Sequence, residues 1–258
     1  MVKVGIALSG GGARGMTHAG VLKALEEFGV EPQIISGASA GSIVGALYAY
    51  GYSPDEMLKM TKGSNMFKVI RKSGKIGMNM EPHYMRHLIK EAIPEDDFAA
   101  LKKKLYVAVT NITTGKSEII SKGQLSEVIA ASSAIPIIFK PVEMNDCLYV
   151  DGGLLNNLPV EPIKNHCKVL LGSNVVPHGV ANLNRNRLRD IIGRTKEMIV
   201  WNSTENQLLQ CDIVIEAPEV FEMSMFHFRS AKRFFDLGYQ QTLTQMDNIL
   251  REITKKNS

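Results

Sequence analysis

Near its N-terminus the chain reads Val2-Lys3-Val4-Gly5-Ile6-Ala7-Leu8-Ser9-Gly10-Gly11-Gly12-Ala13-Arg14-Gly15. The apolar run Val2–Leu8 is short and leads directly into glycines, which predicts a buried strand rather than a secretory signal. The next segment, Thr17–Phe28, carries its apolar residues at helical spacing. A strand that passes through a glycine loop into a helix is the opening unit of an α/β sheet.

The rest of the chain repeats this alternation of strand and helix patterns. Strand patterns occur at Gln33–Ser36, Leu105–Ile112, Ser117–Ser121, Lys168–Val176 and Asp212–Ala217, and helical patterns at Ser42–Tyr50, Leu125–Ala134 and Tyr239–Ile253. The alternation predicts an α/β fold with a mostly parallel sheet. The working site of such a sheet lies at the carboxyl ends of its strands.

Length and composition exclude several classes of protein. A chain of 258 residues with 45% hydrophobic residues and no linker or repeat fits a single domain over 1–258. Its formal net charge of +4 is too small to indicate nucleic-acid binding. Three cysteines, an odd number without metal-like spacing, indicate a reducing compartment, and we therefore expect a cytoplasmic protein.

The glycine loop Gly10–Gly15 has the G-x-G-x-x-G spacing of dinucleotide-binding proteins. That function needs an acidic residue at the end of the second strand, where this chain has Ser36 to Ser39. Consecutive glycines also direct backbone N–H groups toward an anion, such as the oxyanion of acyl transfer. The loop therefore favours an oxyanion hole, with a nucleotide site and a plain tight turn as alternatives. Arg14 either holds the loop or faces solvent.

A second motif, Gly37-Ala38-Ser39-Ala40-Gly41, has the G-x-S-x-G pattern of a nucleophile elbow. It lies between a predicted strand and a predicted helix, where a sharp bend exposes the serine oxygen and needs small neighbours. Ser39 is therefore the candidate nucleophile, and its alternative role is that of a helix N-cap.

The serine requires a base, and the histidines offer none in a suitable loop. His18 falls on the apolar face of the first helix, which favours a packed or capping role. Asp151-Gly152-Gly153 follows a strand-like run, and a carboxylate there takes the serine proton directly if burial raises its basicity. Taken alone, Asp-Gly is also a common turn.

Together these three motifs resemble the patatin-like phospholipase family, lipid acyl hydrolases that use a Ser-Asp dyad. The resemblance runs from Gly10 to about Pro159 and includes Ala131–Pro136 and Asn157–Pro159. It implies a three-layer fold, with helices flanking the central sheet, closest to the bacterial single-domain members. The site residues that it implies are the dyad Ser39 and Asp151, the oxyanion loop Gly10, Gly11, Gly12, Ala13, Arg14 and Gly15, the elbow glycines Gly37 and Gly41, and the dyad-turn glycines Gly152 and Gly153.

The implied reaction is hydrolysis of a lipid or lysophospholipid acyl ester through an acyl-enzyme, without a metal or another cofactor. Two alternatives stay open on the sequence alone. One is a nucleotide-binding protein that uses the first glycine loop, and the other is a lipid-binding adaptor without catalytic activity.

Two further segments bear on lipid contact. The stretch 59–75 carries six basic residues and no acid, interleaved with apolar residues. Such a stretch suits peripheral contact with the inner face of an anionic membrane or a lid, and equally a solvated loop. The Met and Phe side chains of Met223–Phe228 suit either an acyl-chain pocket or the core.

Overall fold

The computed structural model describes residues 3–63, 82–180 and 188–257. The strands are β1 (Val4–Leu8), β2 (Ile34–Ala38), β3 (Lys104–Asn111), β4 (Lys116–Ile120), β5 (Val142–Met144), β6 (Cys147–Asp151), β7 (Val169–Asn174) and β8 (Ile213–Glu216). The helices are α1 (Met16–Glu27), α2 (Ala40–Tyr50), α3 (Pro54–Gly63), α4 (His83–Ala92), α5 (Leu125–Ser132), α6 (Glu161–Lys164), α7 (Leu188–Leu208) and α8 (Ala231–Lys255). None of these helices has the length and apolarity needed to cross a bilayer.

All eight strands form one sheet. Pairing connects them in the sequence β5-β6-β3-β2-β1-β7-β8, and β4 also pairs with β3. The strands β3, β2, β1, β7 and β8 are mutually parallel, whereas β4, β5 and β6 pair antiparallel. The predicted α/β fold with a mostly parallel sheet is confirmed. Every residue of β1 is buried, as expected for a central strand covered on both faces.

The sheet is covered on both faces, which makes three layers. Residues of β1 alternate between them: Ile6 and Leu8 join a core with α1, α2 and α8, whereas Ala7 packs with Leu158 and Ile163 on the opposite face. The helices α1 and α8 cross closely at Gly20. Any side chain at this position would collide with the α8 backbone, so the crossing requires glycine. Helix α8 begins at Ala231, eight residues before the apolar periodicity recognised in the sequence.

The register of β3 decides where the candidate site forms. Strand β2 pairs with residues 104–108 of β3, and β6 pairs with residues 109–111. Strand β4 pairs with 107–111, overlapping both, and therefore occupies the other edge of β3. β2 and β6 consequently lie end to end along one edge. Their carboxyl ends meet, since Ala38 is opposite Ala108 and Asp151 is opposite Val109.

Candidate active site

Ser39 occupies the corner between β2 and α2. Its backbone has φ 49° and ψ −121°, a conformation that L-residues rarely adopt and that the surrounding structure must impose. The Ser39 N–H donates to Ser132 Oγ at 2.8 Å, and Ser132 Oγ–H donates to the Ala108 carbonyl at 2.7 Å. Helix α5 and strand β3 together hold the corner, and the Ser39 side chain makes no N-cap bond.

The glycines of the elbow are required by close backbone packing. A Cβ on Gly37 would lie 2.6 Å from the Gly41 carbonyl oxygen. A Cβ on Gly41 would lie 2.2 Å from the Leu8 carbonyl oxygen, at the end of β1. These contacts explain the small residues of the motif, because α2 must begin directly against the central strand.

Asp151 lies beside Ser39. Ser39 Oγ–H donates to Asp151 Oδ2 at 2.8 Å, and the Gly153 N–H donates to Asp151 Oδ1 at 2.8 Å. Both side chains are nearly inaccessible, with 5% of Ser39 and 4% of Asp151 exposed. A Cβ on Gly152 would lie 2.0 Å from the Ala108 carbonyl oxygen, so this turn must carry glycine to lie against β3. Both carboxylate oxygens are thus oriented, one of them toward the serine.

The backbone N–H groups of the loop Gly10–Gly15 divide into two sets. The N–H of Gly10 donates to Asn157, that of Ala13 to the Met225 carbonyl at 2.8 Å, and that of Arg14 to the Gly11 carbonyl. Gly15 is the last residue of a 3₁₀ turn over Gly12–Gly15. A Cβ on Gly15 would lie 2.6 Å from Ala40 Cβ. Within the described part of the chain, the N–H groups of Gly11 and Gly12 have no acceptor. The loop therefore offers fewer N–H donors to an anion than the six residues that the sequence predicts.

Arg14 holds the loop instead of facing solvent. Its guanidinium donates from Nε to the Met223 carbonyl at 2.8 Å and from Nη2 to the Phe221 carbonyl at 3.1 Å. Burial lowers the pKa of Arg14, and the carboxylate of Glu197, 3.9 Å away, opposes that shift. Arg14 therefore ties the glycine loop to the segment before α8 and to α7.

His18 is a packed residue, as its position on the apolar face of α1 predicts. One ring nitrogen, Nε2, lies 2.8 Å from the Ser9 carbonyl, and Nδ1 lies 2.8 Å from Ser173 Oγ. Because a carbonyl only accepts, Nε2 carries the proton and Nδ1 accepts from the serine. Complete burial lowers the pKa of His18 to about 4, so the ring is neutral near pH 7. It fixes the end of β1, from which the glycine loop starts.

A cavity of about 20 Å³, roughly large enough for one water molecule, joins these groups. Besides the dyad and glycines, it is lined by Asn157, Ile135, Val176, Glu197, Val200 and Met225. Met225 belongs to the segment suggested as an acyl pocket, whereas Met223 is buried in the core. Sequence reasoning missed Glu197 and the buried Val200, since nothing in the sequence pattern of α7 marks either residue as part of a site.

A serine on a sharp strand-to-helix corner, bonded to a buried carboxylate beside unpartnered amides, is the arrangement typical of serine hydrolases. The match to a family model is more specific. The model for the patatin-like phospholipases matches residues 6–164, and the chain belongs to that family. The predicted family is confirmed, which favours the oxyanion interpretation of the glycine loop over a nucleotide site.

Curated relatives match more than half of the chain. Lysophospholipase NTE1 of Candida albicans is 33% identical over 167 residues, which cover 62% of this chain and 12% of the relative. Lysophospholipase NTE1 of Saccharomyces cerevisiae is 31% identical over 167 residues, 62% of this chain and 10% of the relative. The chain thus spans about a tenth of the length of these relatives.

Solved structures support the fold across nearly the whole chain. VipD from Legionella pneumophila is 18% identical, with a TM-score of 0.62 over 96% of this chain and 67% of VipD. The ExoU-SpcU complex of Pseudomonas aeruginosa gives 17% identity and a TM-score of 0.52, over 97% of this chain and 52% of the matched chain. At these identities the likeness concerns the fold alone.

Proposed function

We propose that the chain is a serine lipid acyl hydrolase in which Ser39 is the nucleophile and Asp151 the general base. The observation that carries the proposal is the 2.8 Å hydrogen bond from Ser39 Oγ to Asp151 Oδ2. The unpartnered N–H groups of Gly11 and Gly12 line the same cavity and supply the oxyanion hole. Family membership independently supports hydrolysis of a lipid ester.

In the acylation step, the Ser39 hydroxyl proton passes to Asp151 Oδ2 while Ser39 Oγ bonds to the ester carbonyl carbon. The carbonyl oxygen becomes an oxyanion, which the Gly11 and Gly12 N–H groups stabilise. When the tetrahedral intermediate collapses, the bond to the leaving alcohol breaks and Asp151 returns its proton to that alcohol. Ser39 then carries the acyl group.

In the deacylation step, water gives a proton to Asp151 and its oxygen bonds to the acyl carbon. A second oxyanion forms in the same position, and its collapse releases the fatty acid as the proton returns to Ser39 Oγ. The Gly153 N–H bond to Asp151 Oδ1 keeps the other oxygen directed at Ser39 throughout. Ser39 Oγ thus ends each cycle protonated again, with a proton that came from the attacking water.

For the substrate, we propose a lysophospholipid acyl ester. The support is the identity of 31–33% over 167 residues to proteins named lysophospholipase. We propose that 1–258 acts as one catalytic domain, because the cavity draws residues from Gly10 to Met225. Peripheral contact with the inner face of a membrane through 59–75 stays a prediction: 64–75 lies outside the described residues, and Lys59 is exposed on α3.

The test is fatty-acid release from lysophosphatidylcholine by the wild-type chain, Ser39→Ala and Ser36→Ala. Ser36 is a buried serine on β2 whose hydroxyl makes no hydrogen bond to the residues that the structure describes, so its removal is a matched control. We expect turnover by wild type and Ser36→Ala, none by Ser39→Ala, and a fluorophosphonate adduct on Ser39. Turnover that survives in Ser39→Ala, or a wild type inactive on lysophospholipids, diacyl phospholipids and simple esters, would contradict the proposal.

A further inference from the structure

Asn157 touches the glycine loop from the segment that follows β6. The Gly10 N–H donates both to Asn157 Oδ1, at 3.1 Å, and to the Asn157 main-chain carbonyl, at 3.2 Å. The side chain is 2% exposed and lines the cavity that contains Ser39 and Asp151. The mechanism above gives this residue no part in the reaction.

The other end of the Asn157 amide has no partner. Because the Gly10 N–H is a donor, the side-chain atom facing it is the acceptor Oδ1, and the NH₂ group, Nδ2, faces away. Nδ2 is fully buried and makes no hydrogen bond within the described part of the chain. A buried donor without an acceptor destabilises the folded chain. Such a cost is expected where a ligand completes the bond.

The oxygen end of the amide lies near both groups of the dyad, across two glycines. A Cβ on Gly10 would lie 2.6 Å from Asn157 Oδ1 and 3.0 Å from Ser39 Cβ. A Cβ on Gly153 would lie 2.6 Å from Asn157 Oδ1 and 3.0 Å from Asp151 Oδ1. The two glycines leave room for one amide group between the nucleophile, the base and the loop.

We propose that Asn157 is a further catalytic residue whose Nδ2–H donates a hydrogen bond to the substrate oxyanion, together with Gly11 and Gly12. This inference rests on the proposed function of Ser39 and Asp151. No proton is transferred in this step: the N–H bond stays intact, and the hydrogen bond strengthens as the carbonyl oxygen gains negative charge. The benefit belongs to the transition state, so it raises kcat more than it lowers KM.

The variants Asn157→Asp and Asn157→Ala separate this role from simple support of the loop. Aspartate keeps the shape and the acceptor for the Gly10 N–H but replaces the donor with a second acceptor that repels an oxyanion. Alanine removes both groups. A supporting role predicts that aspartate is tolerated better than alanine, whereas an oxyanion donor predicts that aspartate is at least as harmful. Asn156→Ala is the matched control, a neighbouring asparagine outside the cavity lining.

The experiment measures kcat and KM on lysophosphatidylcholine for wild type and these variants. It also measures the inhibition constant of a trifluoromethyl ketone, which forms a hemiketal oxyanion on the serine. We expect a fall in kcat of about 100- to 1000-fold in both Asn157 variants, with KM changed less than threefold. Inhibitor affinity should fall in parallel, and Asn156→Ala should behave as wild type.

Two results would overturn the inference. One is Asn157→Asp with kcat within threefold of wild type, and the other is inhibitor affinity unchanged by either substitution. Ser39→Ala, assayed alongside, distinguishes the failures. If it abolishes turnover while Asn157→Asp does not, the inference alone fails. If the wild type has no turnover, the proposed function fails and takes the inference with it.

Discussion

Two glycine-rich turns leave neighbouring strands of the same sheet, and they use glycine for different reasons. After β1, the loop Gly10–Gly15 contains two N–H groups that have no acceptor among the described residues, and it passes through Gly12 at φ 60°. After β2, the turn is a single corner at Ser39, whose flanking glycines lie against the backbone of Gly41 and Leu8. The first turn presents backbone groups to a ligand, and the second presents a side chain.

This difference means that glycine content alone does not reveal what a turn does. In the elbow, a Cβ added to Gly37 meets the main chain of α2, and one added to Gly41 meets the main chain at the end of β1, so these glycines are required for packing. In the loop, the surroundings include side chains such as Val175, which have some freedom to move. Substitutions in the elbow should therefore impair folding, whereas substitutions in the loop should impair catalysis in a folded protein.

The largest effect is expected for Gly41→Ala. Its methyl group would lie 2.2 Å from the Leu8 carbonyl oxygen, and neither the central strand nor α2 has room to retreat. We expect a loss of more than about 4 kcal/mol in the free energy of unfolding, with little soluble protein. Gly193→Ala, at an open position on α7, is the control and should be neutral or stabilising. Urea unfolding checks both, and a cost for Gly41→Ala near 1 kcal/mol would contradict the packing argument.

Gly12→Ala should act on catalysis. At φ 60°, its methyl group would lie 2.5 Å from the Met225 carbonyl oxygen, which accepts from the Ala13 N–H. Relief of that clash moves an oxyanion donor, so we expect kcat to fall about 100-fold or more.

Gly115→Ala is the matched control for Gly12→Ala. It imposes the same strain at φ 70° in a hairpin turn with open space around it. Gly115→Ala should lose about 1 kcal/mol of stability from the positive φ alone, and Gly12→Ala more because of its clash, but only Gly12→Ala should lose activity. Equal activities of the two variants would contradict the proposed role of Gly12 in the oxyanion hole.

His18 makes the anchoring of the loop dependent on pH. Its folded pKa is about 4, below the ordinary 6.5. Below pH 6.5, His18 is protonated in the unfolded chain but stays neutral in the folded chain. The free energy of unfolding therefore decreases as the pH falls from 6.5 toward 4.

Between pH 7 and pH 5, this loss should amount to roughly 2 kcal/mol. His18→Gln has no proton to gain, and its unfolding free energy should fall by that much less over the same interval. Parallel urea titrations of the two proteins provide the measurement. Identical pH dependences would show that His18 titrates normally in the fold.

The smallest effect is expected for Arg14→Lys. A single ammonium group cannot replace Nε and Nη2 at the Met223 and Phe221 carbonyls with the same geometry. We expect a loss of about 1 kcal/mol in stability and a modest fall in kcat as the loop loosens. Arg251→Lys, at an exposed position on α8, is the control, and equal thermal midpoints for both variants would contradict a tie through Arg14.

Much of the fold and the core of the site could be predicted from the sequence. Strand β1 and helix α2 follow from local patterns, because hydrophobic periodicity and glycine punctuation report local geometry. Ser39 and Asp151 could be predicted because each lies in a short motif directly after a strand. Their contact could not be derived from a parallel-sheet rule, because β6 runs antiparallel to β3. It is the pairing of Asp151 with Val109 of β3, next to the residue paired with Ala38, that brings Asp151 to Ser39.

The remaining features depend on contacts between residues far apart in the chain. Asn157 bonds to Gly10 across 147 positions, and Glu197 reaches Arg14 from α7. Which N–H groups of the loop are bonded within the fold depends on Met225, whose carbonyl oxygen accepts from the Ala13 N–H. No local pattern records such partners, so the sequence does not show that the Ala13 N–H is already bonded within the fold.

The most direct test of the Ser39–Asp151 pair is the rate at which Asp151→Asn is acylated on Ser39 by a p-nitrophenyl ester. Asparagine retains an acceptor for the Gly153 N–H but places an NH₂ group where Oδ2 receives the serine proton. We predict that the first-turnover release of p-nitrophenol slows by about 10⁴-fold relative to wild type, with an unchanged unfolding midpoint. Acylation of Asp151→Asn within tenfold of wild type would contradict the account.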